Sequence, residues 1–536
     1  MKFKNLFLAG LALMSITACS NDDDPIKGGS GENANAYMQL VLTGTEQFST
    51  KTEGSSSSDS KDTDPKQSKI TNALVLLCSN DAERTVQSTQ EISGIVDKGS
   101  GNYETPVFRI NCTAGTTYKV YVIANYNSAN SVFTTLTGQK INEVVTQVSA
   151  ITAENDVTTK FAADNKFLMF NQSKGNDDYE GPTITINADN NTTMNPAKPA
   201  STINLDRLAA KIRSQVKTDG GGLTITDVQT QYSNISAVAL KGFKLFNGVK
   251  NMNLQQKWAF AKGTTGENTL ITTDVTKANY YNSFAQFAEV TRTSAPSVHP
   301  EVYSAVLDKT GDLSSTTDVY CLENNSSATT AATYTGQKAK RNNTTGLLYQ
   351  FQVTLTDGGK SGGESSFGDN TFFSYNNKFY NTLNALKTEY PNAFAANGET
   401  GTENQYNTAC TELAGATING TPDQAKISAF RSKYNIKVYT NGIMYYIHYI
   451  KDTNYKQLKE GKSINGSDNI ENTYSIFRNT VYDLTIQSLK KIGTDVPGGW
   501  DPYVDPDGEV ETTDLFMQVE VKVNPWVLSS QNIDLQ

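Results

Sequence analysis

The sequence predicts an all-β chain with minor helices, and three observations predict it. Charged residues make up only 19% of the chain, whereas aromatic residues reach 10% and Tyr, Thr, Asn and Gly are plentiful, a balance that favours strands and polar turns. Apolar residues recur at period two in one short segment after another. The segments are separated by Gly-, Asn- and Thr-rich stretches, and 536 residues suffice for two or three domains with cores of their own.

The chain opens with a basic Met1-Lys2-Phe3-Lys4, an apolar run from Leu6 to Met14, and Ile16-Thr17-Ala18 directly before Cys19. Such a stretch is too short to span a bilayer, so residues 1–18 read as a cleaved signal peptide. An aliphatic residue, two small residues and then Cys form a bacterial lipobox, which makes Cys19 the lipidation site of a membrane-tethered protein. Each buried methylene of an acyl chain contributes about 0.8 kcal/mol, so several chains on one residue hold firmly. The acidic Ser20-Asn21-Asp22-Asp23-Asp24 resembles the signal that exports Bacteroidales lipoproteins to the cell surface, and Ile26 to Asn35 is a linker by composition.

Tyr37 to Thr43 is the first predicted strand, with Met38, Leu40 and Leu42 on one face. The polar stretch from Glu46 to Lys69 contains Ser55 to Ser58 in a row together with Lys51, Lys61, Lys66 and Lys69. No core forms from that composition, so it is an exposed, protease-accessible loop. Strands are expected at Ile70 to Leu77 and Tyr118 to Asn125, the second entered through the turn Thr113-Ala114-Gly115-Thr116. A short helix fits somewhere between Ser128 and Phe170, and strands resume at Thr183 to Ile186 and Ser201 to Val216. Leu205, Leu208, Ala209 and Ile212 also leave helix spacing open for part of that last segment. Gly220-Gly221-Gly222 marks a domain boundary, after which Ile235 to Phe246 begins a second run of strands. Short helices are expected at Lys378 to Lys387 and Thr421 to Tyr434. Asn441-Gly442, between the apolar runs Ile436 to Thr440 and Ile443 to Ile450, predicts a tight hairpin.

Near the end, Val481 to Ile486 is a strand, and Gly493 to Val510 is a Gly-, Pro- and Asp-rich spacer. Beyond it Leu515, Met517, Val519, Val521 and Val523 alternate with Phe516, Gln518, Glu520, Lys522 and Asn524. A lone strand with one apolar face is unstable in water and must join a sheet.

The net charge of −9 and the lack of a basic patch argue against nucleic acid or an anionic membrane as partner. His299 and His448 are far apart, and no G-x-S-x-G, H-E-x-x-H or P-loop pattern is present, so no catalytic residue and no cofactor is expected. Asp501 to Glu509 carries two prolines and lacks the ordered ligand positions of a calcium loop; it reads as a stiff hinge, and no metal site is expected. With Cys19 set aside, Cys78, Cys112, Cys321 and Cys410 permit two disulfides, or remain buried thiols.

Taken together, several segments resemble the type V pilins, or fimbrillins, of Bacteroidales, and specifically their large shaft subunits. The likeness rests on the lipobox ending at Cys19, the strand Tyr37 to Leu42 followed by Lys51, Thr116 to Asn125, Arg478 to Ile486, and Val519 to Trp526. The resemblance implies two transthyretin-like β-sandwich domains, a tether and removable first strand over residues 19–51, domains over 52–219 and 220–492, and a spacer with a C-terminal donor strand over 493–536. It also implies a trypsin-like protease that cuts after Lys51, where an arginine-specific enzyme would require Arg, and a groove that a neighbouring copy's strand then fills. The donor face would be Leu515, Met517, Val519, Val521 and Val523. Partners would be further copies, accessory anchor and tip pilins, and the outer membrane before maturation; the final location would be an extracellular fimbrium with a role in adhesion.

The residues support strand exchange without the family, because one strand precedes a cleavable loop and another follows a leash. Burying five apolar side chains contributes about 7–15 kcal/mol, comparable to the roughly 4–15 kcal/mol cost of association. Backbone pairing then tips the balance. The competing reading is a surface glycan-binding β-sandwich lipoprotein that uses Trp258, Trp500 and tyrosines as sugar platforms; it does not need the detached strand.

Overall fold

A computed structural model describes residues 34–44, 65–99, 101–127, 136–141, 156–172, 181–217, 223, 225, 235–246, 254–255, 260–262, 268–270, 317–325, 344–356, 370–376, 378–395, 401–418, 421–458, 470–495, 510 and 517–525. Strands dominate and helices are few, as the composition predicts.

The largest sheet runs in the order Val86–Ser93, Asn72–Ser79, Thr117–Ala124, Met169–Asn171, Ile203–Arg207, Val41–Gly44, Asn102–Glu104, Val96–Gly99, and Thr183–Thr185 adds to Thr117–Ala124. Asn72–Ser79 and Thr117–Ala124 pair antiparallel with Val75 opposite Val122. Both are buried along most of their length, which is why they read as nearly unbroken apolar runs rather than as alternation. The expected short helix after Ser128 is Asp156–Lys160.

The segment Ser201 to Val216, left open between strand and helix by its spacing, forms two strands, Ile203–Arg207 and Ala209–Val216, broken at Leu208. The break moves the chain from one sheet to another. Ile203–Arg207 lies in the first sheet, whereas Ala209–Val216 lies in a second sheet ordered Thr317–Leu322, Ala209–Val216, Thr480–Leu489, Met517–Pro525. Gly220 to Gly222, the sequence's boundary signal, lie outside the described residues.

The second sheet shares its apolar core with a three-stranded sheet, Ile235–Phe246, Gly346–Leu355 and Ile443–Tyr449. Ile212, Tyr482 and Leu484 from one side meet Tyr349, Phe351 and Met444 from the other. The Ser214 and Tyr349 hydroxyls, both buried, are 2.7 Å apart across it, so the polar tip of the tyrosine is satisfied inside the core.

Between the paired strands Gly346–Leu355 and Ile443–Tyr449 the chain builds a third core of its own. It combines a small sheet, Lys378–Tyr380, Phe372–Tyr375 and Lys437–Tyr439, with helices Leu383–Glu389, Glu403–Ala414 and Gln424–Tyr434. Lys378 to Lys387 was expected to be one helix. It is a strand followed by a helix that starts only after Thr382, whose hydroxyl accepts from the Ala385 backbone N–H. The helix expected over Thr421 to Tyr434 begins at Gln424, because Asp423 caps it through Ala425 and Lys426.

The expected hairpin at Asn441-Gly442 does not form. Both residues do take positive φ, 54° and 74°. The turn instead passes the chain between sheets, since Lys437–Tyr439 pairs with Phe372–Tyr375 while Ile443–Tyr449 pairs with Gly346–Leu355. Gly442 packs so closely on the Val353 carbonyl that a Cβ there would collide with it.

Candidate functional site

The first predicted strand is split into Ala34–Met38 and Val41–Gly44, and its period-two face survives the split: Met38, Leu40 and Leu42 are all fully buried. Ala34–Met38 pairs antiparallel with Phe108–Cys112. Val41–Gly44 runs parallel to Ile203–Arg207 and antiparallel to Asn102–Glu104, so it is an interior strand of the first sheet. At the break Thr105 closes the backbone: its hydroxyl accepts from Leu40 N–H at 2.9 Å, and its own N–H donates to the Leu40 carbonyl at 3.0 Å. Gln39 Nε2 donates to Glu104 Oε1 at 3.0 Å beside it. These partners were not anticipated, because nothing local in the sequence links Gln39 to residues 104 and 105.

Removing this segment would uncover two sheet edges together with the apolar trough that holds Met38, Leu40 and Leu42. An interior strand has unpaired neighbours on both sides once it leaves, and such edges are templates for another strand.

The terminal strand was expected to follow a flexible spacer and to join a sheet that the sequence does not name. In the structure Met517–Pro525 pairs antiparallel with Thr480–Leu489 of the same chain, with Val519 opposite Ile486 and Val521 opposite Leu484. Met517 is buried in the core shared by the second sheet and the three-stranded sheet, and Val519 and Val521 pack on it partly exposed. Val523 lies opposite Tyr482, while Leu515 lies outside the described residues. Alternation identifies an apolar face but not the sheet edge that receives it, which is why the sequence left this pairing unassigned.

The root of the spacer is also held. Thr494 exchanges backbone hydrogen bonds of 2.9 and 2.8 Å with Tyr445, and the Tyr439 hydroxyl donates to the Gly493 carbonyl at 2.9 Å. Asp495 accepts from Val438 N–H at 3.0 Å and pairs with Arg431 at 3.2 Å. Its side chain is completely buried, and burial pushes its carboxyl up from the ordinary range while Arg431 opposes the shift.

Cys19 and Lys51 lie outside the described residues, as do Trp258, Trp500, His299 and Asp501 to Glu509. The disulfides allowed by the sequence are not made: Cys78, Cys112, Cys321 and Cys410 are free thiols. Burial pushes the Cys78 thiol up to about 12 and raises Cys321 as well, which keeps both in the unreactive protonated form. Among the described residues no cluster of His, Cys, Asp or Glu could hold a metal, and no helix is long and apolar enough to cross a membrane.

Residues 36–207 match the family described as major fimbrial subunit protein (FimA), and residues 437–532 match the family described as major fimbrial subunit protein type IV, fimbrillin, C-terminal. The chain belongs to the fimbrillins of Bacteroidales. The first match begins inside the split strand and ends at Arg207, and the second contains the terminal strand and its neighbour Thr480–Leu489. This fimbrillin is 25% identical over 184 residues to major fimbrium subunit FimA type-4 of Porphyromonas gingivalis, 34% of this chain and 39% of that one. The alignment thus spans well under half the length of that relative. Among solved structures it is similar to the tip fimbrial protein Mfa3 of Porphyromonas gingivalis, with a TM-score of 0.35, 11% identity and coverage of 92% of this chain and 100% of that one. It is also similar to a fimbrial assembly protein of Parabacteroides distasonis, with a TM-score of 0.25, 12% identity and coverage of 61% and 83%.

Proposed function

We propose that this fimbrillin is a structural subunit of a cell-surface fimbrium that polymerises by strand exchange and supports adhesion. The observation that carries the reading is the burial of Met38, Leu40 and Leu42 in a segment whose second half, Val41–Gly44, is an interior strand. The chain reaches the surface as a lipoprotein anchored in the outer membrane through Cys19, and a trypsin-like protease cuts after Lys51. Residues 19–51 are then released from an assembled subunit, and the vacated trough receives the strand of a neighbouring copy. Filling the places of the three large side chains contributes about 4.5–9 kcal/mol, at roughly 1.5–3 kcal/mol for each.

Leu515, Met517, Val519, Val521 and Val523 are the face that enters the neighbour. For this the terminal strand must first leave Thr480–Leu489, its one strand partner among the described residues. Exchange into a trough with an edge on either side offers it a second ladder of backbone hydrogen bonds. Further copies, accessory anchor and tip pilins, and the maturation protease are the partners of this cycle.

The test is to trim the purified precursor with a lysine-specific protease and examine it by gel electrophoresis in SDS without boiling. Ladders of increasing size are expected from trimmed protein alone. Ladders of equal intensity from untrimmed precursor that retains Tyr37 to Leu42 would contradict the mechanism.

A further inference from the structure

The stretch from Lys66 to Thr71 leads into the first long core strand, Asn72–Ser79, and it is fixed by its backbone carbonyls and by the Gln67 side chain. The Lys66 side chain is 61% exposed and Lys69 is exposed too, so both offer themselves to a lysine-directed protease. Their peptide groups do not. The Lys66 carbonyl accepts from Asn165 N–H at 2.6 Å, Gln67 from Arg207 Nε at 2.8 Å, Ser68 from the Tyr103 hydroxyl at 3.0 Å and Lys69 from Asn125 Nδ2 at 2.8 Å. Four successive carbonyls are taken, and Ile70 beyond them is buried.

Gln67 also reaches across the domain junction. Its Oε1 accepts from Lys211 Nζ at 3.1 Å and its Nε2 donates to the Tyr320 hydroxyl at 3.1 Å; both partners lie on strands of the second sheet, Ala209–Val216 and Thr317–Leu322. Arg207, which Gln67 holds by its carbonyl, lies on the first sheet. Gln67, Arg207 and Lys211 are 3%, 1% and 1% exposed, so this one residue supplies oxygens to two buried cations from two sheets.

We propose that Gln67 is a clamp between the two domains which every mature subunit keeps, so that Lys66 and Lys69 are closed to the maturation protease and its cut falls before Pro65. The part that concerns the protease rests on the maturation reading above. Hydrolysis adds one water across a Lys–Xaa peptide bond, and a protease requires that bond extended and free of other hydrogen bonds. Presenting the bond after Lys66 or Lys69 would break the four carbonyl contacts and strip partners from two buried cations, a costly opening.

The experiment digests full-length precursor with a lysine-specific protease and sequences the new N-termini over time. Wild type should yield chains beginning at Thr52 or Asp62 and resist cutting after Lys66 and Lys69. Gln67→Ala should be cut after Lys66 and Lys69 about tenfold faster or more, since cleavage tracks the population of the opened state. Gln67→Glu, which keeps an oxygen for Lys211, should remain protected. If Gln67→Ala does not fold, Tyr320→Phe removes one bond of the clamp without changing bulk and should raise those cuts about threefold. Wild-type cutting after Lys66 or Lys69 at the rate of Lys51 or Lys61 overturns the proposal, as does unchanged resistance in the folded variants. A Lys51→Ala, Lys61→Ala double variant that polymerises uncut would sink the maturation reading alone, because protection at Lys66 and Lys69 is still measured in it.

Discussion

Arg207 donates from Nη1 to the Asn479 side-chain oxygen at 3.0 Å, and Asn479 in turn donates to Asp206 Oδ1 at 3.2 Å. All three side chains are buried, and Asn479 also donates its backbone N–H to the Ala209 carbonyl at 2.9 Å. Next to it the Arg478 guanidinium, 1% exposed, pairs with Glu323 through two nitrogens and donates to the Leu254 carbonyl. The dipeptide Arg478-Asn479 therefore stitches the start of Thr480–Leu489 to the end of the first sheet. Through that joint the strand that bears the terminal strand is tied to the strand that borders the trough.

Asn479→Ala removes an acceptor from Arg207 and a donor from Asp206 in one step. Leaving buried charged groups short of partners costs about 2–4 kcal/mol. Equilibrium denaturation should show a lower midpoint with a native-like slope, and an unchanged midpoint would show that water replaces the asparagine at no cost.

Leu40→Ala should destabilise the precursor by about 2–5 kcal/mol, the cost of truncating a fully buried leucine. The same substitution should have no effect on trimmed, polymerised protein, from which residue 40 has gone. Thermal melting before and after trimming separates the two, and a defect that persists in the polymer would place the first strand in the mature subunit.

Val519→Asp and Val521→Asp should abolish polymerisation while leaving a folded monomer, since a charge in the middle of that face must be buried without a partner on entering the trough. Glu520→Ala, on the opposite side of the strand, should polymerise. Deleting Leu515 to Gln536 strips Met517 and the half-buried Val519 and Val521 from the second core, a loss of about 3–6 kcal/mol, and should still leave a folded chain. Circular dichroism reads the fold and electron microscopy the fibres; unfolding of the deletion variant would assign the strand to its own subunit for good.

His448 gives a pH dependence of definite sign. Its residue keeps some exposed surface, but Nε2 is sealed from water with no hydrogen-bond partner among the described residues, and burial lowers the imidazole from 6.5 to about 4. The unfolded chain therefore takes up a proton as pH falls below 6.5 while the folded chain does not, so stability is lost between pH 6.5 and about 4. The loss is at most about 3 kcal/mol and smaller to the extent that solvent screens the ring. His448→Gln should flatten that part of the stability–pH curve relative to wild type, as followed by urea denaturation across the range.

Local chemistry made much of this legible in advance. Met38, Leu40 and Leu42 were readable as one buried face, and Asn441-Gly442 as a left-handed turn, because a two-residue period and a positive φ are properties of a few neighbouring residues. The helix Glu403–Ala414 was missed: it buries only Ala409 and Leu413, so its apolar contrast is weak, and its signal lay in the capping box of Thr402 and Gln405.

The sequence by itself determined that the chain is built mainly of strands, that Met38, Leu40 and Leu42 share one apolar face, and that a lysine-bearing polar stretch follows them. Only the tertiary structure decided where those faces go. It set Val41–Gly44 between Asn102–Glu104 and Ile203–Arg207, which are far apart in the sequence, sent the two sides of Asn441-Gly442 to different sheets, laid Met517–Pro525 on its own subunit, and gave Gln67 its two cations. The reason is physical: periodicity and turn preference are fixed over a few bonds, whereas an unpaired sheet edge or a buried charge accepts whichever partner the rest of the chain brings within about 3 Å, the length of a hydrogen bond.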